Sequence, residues 1–135
     1  MKFQLDQLDG TNTISRHGAG EVWVGSTRFT HSVLVPWTGA VLPWAPAAPE
    51  ELTSAHFEAV LALAPALVIF GSGARQRFLA PALLRALIDR RIGVETMDTA
   101  AACRTFNVLA SEGRSVVAAL LLQPLPAGAG DRTDR

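Results

Sequence analysis

At 135 residues the chain is long enough for one domain with a sizeable core, without metal or disulfide staples. Twelve Lys and Arg balance twelve Asp and Glu, so no net field draws it to nucleic acid or an anionic membrane. The single cysteine, Cys103, excludes an intramolecular disulfide and any need for an oxidising compartment.

The first ten residues, MKFQLDQLDG, lack the apolar core of a signal peptide, and two aspartates argue against a mitochondrial transit segment. The most apolar region, Phe57 to Phe70, is interrupted by Glu58 and Pro65 and is too broken to span a bilayer. A soluble, cytoplasmic protein without membrane insertion is the expectation.

From Thr13 to Val35 the pattern favours two or three antiparallel strands: Ile14 among polar neighbours, Glu21 to Val24, a turn at Gly25-Ser26, then Phe29 to Val35. Val41 to Pro49 carries three prolines around Trp44, which removes backbone donors and predicts a structured connector. Phe57, Val60, Leu61 and Ala64 recur at helical spacing, with Thr53 or Ser54 as N-cap and Pro65 as the stop. Leu67 to Phe70 is a short apolar run bounded by glycine, as expected of a strand covered on both faces.

Pro81 suits the first position of a helix whose apolar face is Leu83, Leu84, Leu87 and Ile88, closed by Gly93. A strand over Ile92 to Met97 follows. Asp98 or Thr99 then caps a helix whose core face is Ala102, Cys103, Phe106, Leu109 and Ala110, with Arg104, Asn107 and Ser111 on another, polar face. Gly113 supplies the exit, and Val116 to Leu122 reads as a central strand. The apolar pattern ends at Pro124, so residues 1–124 are read as the domain and 125–135 as a disordered tail.

The strand at Leu67, the helix from Pro81 and the strand from Ile92 form a βαβ unit with parallel strands. Its two loops, Gly71-Ser72-Gly73 and Asp98-Thr99, would both emerge at the carboxyl edge of the sheet, where open α/β proteins place ligands.

The GSG loop after an apolar strand, MDT at Met97 to Thr99, CRTFNVL at Cys103 to Leu109 and EGR at Glu112 to Arg114 together resemble the NADH dehydrogenase (complex I) assembly-factor-3-like family, found in bacteria, archaea and mitochondria. The resemblance runs over about Thr13 to Pro124. It implies an α/β fold: a small three-layer single domain with a mixed central sheet, flanking helices and an additional N-terminal β layer. It implies a non-catalytic protein-binding or assembly factor with a protein partner of unknown identity; the lack of a transit-like segment likens the chain to the bacterial members, and a homodimer is left open. Two departures stand out. The family loop GTG is GSG here, and the family TYN is Thr105-Phe106-Asn107, which removes a phenolic hydroxyl.

Candidate residues each carry two readings. Gly71 and Gly73 either permit a tight turn or bring backbone amides, with Arg75 and Arg77, to an anionic ligand. The dinucleotide fingerprint is incomplete, since Gln76 occupies the third glycine position, and no P-loop lysine follows; no cofactor is expected. Asp98 is read first as a helix cap. Arg104 lies near the positive end of its helix and calls for a negative companion, either Asp98 or a carboxylate from a partner or ligand.

Arg114 and Asn107 join this polar set. Cys103 falls on the apolar face and is read as a small hydrophobe rather than a nucleophile. His17, His31 and His56 have no ligand spacing, so no metal site or catalytic pair is expected. Trp44, with Trp37, either covers the core edge or anchors a partner from the proline-rich loop. The alternative to the assembly reading is a small-molecule binder or enzyme holding an anionic ligand with the GSG loop, Arg75 and Arg104.

Overall fold

In chain order the strands are β1 (Ile14–Gly18), β2 (Glu21–Val24), β3 (Thr27–Phe29), β4 (Val33–Pro36), β5 (Leu42–Pro43), β6 (Leu67–Gly71), β7 (Gly93–Met97) and β8 (Val116–Leu120). The helices are α1 (Ser54–Leu61), α2 (Arg85–Asp89) and α3 (Thr99–Ser111), with 3-10 turns at Pro49–Glu51 and Pro81–Leu84. This computed structural model describes residues 10–123. The expected domain boundary at 124 and the tail 125–135 lie outside the described residues.

Side-chain alternation along β6 and β8 builds the layers. Val68 and Phe70 turn to one face of the central sheet, where they meet Val117, Ala119, Phe57 and Val60. Ile69 turns to the other, against Ala118, Leu120, Ala102 and Phe106. Because both faces are covered, these strands read as unbroken apolar runs rather than as alternation.

The central sheet has the order β5-β4-β8-β6-β7. β6 is parallel to both β7 and β8, while β4 runs antiparallel to β8 and β5, so the sheet is mixed. α1 and α2 pack against each other on one side. On the other side α3 shares the core with a separate antiparallel sheet, β1-β2-β3, which contributes Ile14, Val22 and Val24. This is the expected three-layer arrangement with an additional N-terminal β layer.

Three local expectations need correction. The run Phe29 to Val35 is not one strand: Phe29 ends β3 and Val33 begins β4, which enters the central sheet. Ser32 fixes that junction, its hydroxyl accepting from Leu122 N–H at 2.9 Å and its carbonyl from Trp44 N–H at 2.9 Å. The segment from Pro81 is a 3-10 turn followed by a five-residue helix, and Ile88 is half exposed instead of lying in the core. Its exit is made by Arg91 at φ +60°, whereas Gly93 sits in β7, where a Cβ would lie 3.3 Å from the Leu67 Cδ1. α1 stops at Leu61, ahead of Pro65, and Ala64 takes φ +55°.

Gly71 is required by packing rather than by dihedral freedom. A Cβ there would lie 3.0 Å from both the Thr99 Cα and the Leu120 Cδ2. The first of these is backbone and cannot swing aside, so Gly71→Ala is expected to cost about 1–3 kcal/mol of stability. Urea denaturation measures it, and an unchanged midpoint would mean that α3 can retreat from β6. Among the described residues no helix is long and apolar enough to cross a membrane.

Candidate functional site

The in-register pairing of β6 with β7 sets Gly71 opposite Met97, so the Gly71-Ser72-Gly73 and Asp98-Thr99 loops leave the sheet at one edge. They are stapled to each other there. Ser72 N–H donates to the Met97 carbonyl at 2.9 Å, and Thr99 N–H to the Gly73 carbonyl at 2.9 Å. The Thr99 hydroxyl accepts from Gly73 N–H at 2.9 Å and donates to the Leu121 carbonyl at 3.0 Å. The Ser72 hydroxyl donates to the Arg75 carbonyl at 2.6 Å and accepts from Arg77 N–H at 3.0 Å, which folds the next residues into a turn.

The amides of Ser72 and Gly73 are therefore already engaged and do not form an open anion cradle. Gly73, at φ +100°, serves the turn. Asp98 caps α3, its Oδ1 accepting from Ala101 N–H at 2.8 Å.

Arg104 stands exposed on α3, and among the described residues it forms no ion pair with Asp98. Asn107, on the same polar side, is committed to the N-terminal sheet. Its Oδ1 accepts from Ile14 N–H at 2.8 Å, and its Nδ2 donates to the Ile14 carbonyl at 2.9 Å. Arg114 is exposed just beyond the far end of α3, a helix of 13 residues and hence roughly 20 Å long, and does not share the edge with Asp98. Trp44 is a core side chain, packed against Phe57 and Phe70.

The structure thus brings together Gly71, Ser72, Gly73, Arg75, Asp98 and Thr99. It places Arg114 beyond the far end of α3, buries Trp44 in the core, and turns Asn107 inward.

Burial pushes the Cys103 thiol up to about 12; nearby Arg104 opposes that rise and Asp98 adds to it. The thiolate is scarce near neutrality, so Cys103 is expected to resist iodoacetamide in the folded protein and to react at once in denaturant. Rapid native alkylation, followed by mass spectrometry, would overturn that assignment. Among the described residues no group of three His, Cys, Asp or Glu side chains is placed to hold a metal ion.

Beside the stapled loops lies a cavity of about 450 Å³. The β1–β2 hairpin tip, His17 to Gly20, closes one side and the start of α3, Asp98 to Ala100, another. Gly73, Ala74 and the chain after β8, Leu121 to Gln123, complete it. A second cavity of about 230 Å³ is lined by Arg75 and Arg77, with Pro49 and Ser72 behind them. Ala74 and Gln123 line both. Sequence reasoning placed Arg77 near the GSG loop but missed the hairpin tip, which arrives from some 50 positions away and carries no local signal. It also assigned nothing to Phe78, an apolar residue in a polar loop, which is 86% exposed.

A family model described as a protein of unknown function (DUF498/DUF598) matches residues 14–121. The chain is similar to NADH dehydrogenase (ubiquinone) 1 alpha subcomplex assembly factor 3 of Mus musculus, 37% identical over 102 residues that cover 74% of this chain and 54% of that protein. For the protein of the same name in Danio rerio the identity is 36% over 128 residues, covering 93% and 71%. The chain spans about half the length of the mammalian relatives it matches. A Bordetella parapertussis protein of known crystal structure superposes with a TM-score of 0.80 at 38% identity, covering 84% of this chain and 98% of that one.

Proposed function

The chain belongs to the DUF498/DUF598 family, and from that premise we propose that it is a non-catalytic, protein-binding assembly factor acting in the cytoplasm. One observation carries the reading: relatives more than one-third identical are named as assembly factors of an NADH dehydrogenase subcomplex. The carboxyl edge agrees with it. Its hydroxyls, its cap carboxylate and its loop amides are engaged in hydrogen bonds within the fold, which suits a preorganised docking edge.

The partner to test first is a subunit of an NADH dehydrogenase. The tagged full chain, used as bait in native lysate, is expected to recover such a subunit above a tag-only control. Recovery of nothing reproducible would sink the proposal.

A second reading, binding of a small anionic molecule, draws on the arginine-lined cavity beside the GSG loop. Arg104 lines neither cavity and takes no part in that form of it. Thermal-shift screening with nucleotides, phosphates and carboxylates tests it, since a ligand of the folded state raises the melting temperature. A library without a single shift would remove it.

A further inference from the structure

The two cavities at the carboxyl edge differ in chemistry and share a wall. The larger is faced by Ala19, Ala74, Ala100, Leu121 and Leu122. Most of its lining is Gly, Ala and Leu; of the polar neighbours, the Thr99 hydroxyl is held between Gly73 N–H and the Leu121 carbonyl, and Asp98 Oδ1 accepts from Ala101 N–H. A small polar molecule would find few unsatisfied groups to orient it there. An apolar side chain needs none, and its burial is favoured by the area it removes from water. His17 also lines this cavity but lies on the exposed hairpin side.

The smaller cavity is cationic. Arg75 forms no ion pair among the described residues, and Arg77 holds Glu50 at 3.3 Å with both side chains half exposed or more. An exposed pair of that kind is weak and exchanges readily for a better carboxylate. Next in sequence to Arg77 stands Phe78, a ring almost fully in water. Aromatic and arginine side chains are what protein interfaces collect at their centres.

Resting on the assembly-factor reading, we propose that this edge receives a short segment of the protein partner in which an apolar side chain stands close to an Asp or Glu. The apolar side chain enters the 450 Å³ cavity between Ala19, Ala100 and Leu122. The carboxylate pairs with Arg75 and Arg77 across the Ala74 wall, and the exposed Phe78, next in the chain to Arg77, offers further apolar surface. Charge complementarity selects an acidic segment, and the division into an apolar and a cationic compartment sets the order of its residues.

A random dodecapeptide library displayed on phage and selected on the full chain tests this. Enriched sequences are expected to carry Asp or Glu within a few positions of Leu, Ile, Phe or Trp. A synthetic peptide of the enriched sequence should lose about tenfold or more in affinity with the double variant Arg75→Glu, Arg77→Glu, and likewise with Ala100→Leu, which narrows the apolar cavity from an exposed helix position. Unchanged melting temperatures establish that these variants fold. No enrichment, enrichment without acidic residues, or binding indifferent to both variants overturns the proposal. Removal of residues 125–135 that by itself shifts the amide resonances around the larger cavity would assign that cavity to the chain's own end, and overturns it too. If the lysate bait recovers the same subunit with wild type and variants, the assembly reading stands and this one fails; an empty bait fails the assembly reading itself.

Discussion

Trp44→Ala is expected to lower the stability of the domain by about 3–5 kcal/mol, the range for deleting a large buried aromatic. The indole is 5% exposed, and its ring meets Phe57 and Phe70 edge-on, with centroids 5.7 and 6.2 Å away. Its Nε1–H donates to the His56 carbonyl at 3.1 Å, so truncation removes packing and a hydrogen bond together. Trp44→Phe should cost less, since a ring remains in the aromatic cluster while the His56 carbonyl loses its donor. Urea denaturation at constant slope reads both effects. A loss below about 1 kcal/mol for the alanine variant would return Trp44 to the role of a surface anchor on the proline-rich loop.

Asn107→Ala is expected to cost about 2–3 kcal/mol, because one amide satisfies both the N–H and the carbonyl of Ile14 and its removal leaves two partly buried backbone groups unpaired. The damage should be local. Hydrogen exchange is expected to quicken in β1 and β2, which α3 holds through this clamp, while β6 and β8 stay protected by the central sheet. Asn107→Asp restores only half: its carboxylate can accept from Ile14 N–H but cannot donate to the Ile14 carbonyl. Uniform exchange acceleration, or none, would refute the clamp.

The central βαβ unit was legible because its signals are local. Leu67 to Phe70 is apolar throughout, Asp98 precedes a helical pattern, and the parallel register that brings Gly71 opposite Met97 follows from the crossover itself. The family followed from the same stretch. Elements whose form depends on distant partners were harder. Phe29 to Val35 looks continuous until β4 is drawn to β8 and separated from β3, and the leucines after Pro81 suggest one helix although the turn packs as 3-10. Among the site residues, the polar face of α3 showed Arg104 and Asn107 together, but spacing on a helix cannot say that one meets water and the other meets Ile14.

By itself, then, the sequence determined an α/β domain with a parallel strand pair, its family, and two loops sharing one edge. Periodicity, caps and glycine positions act over a few residues, and each carries its own physical cause. Only the tertiary structure decided how those loops are held. The Thr99 hydroxyl reaching both Gly73 and Leu121 makes a glycine loop that read either as a tight turn or as an anion site into a closed staple. The hairpin tip at His17 to Gly20, on the same strand as the Ile14 held by Asn107, walls the cavity beside it. Both depend on contacts between residues far apart in the chain, whose free energy is realised only when the layers are assembled.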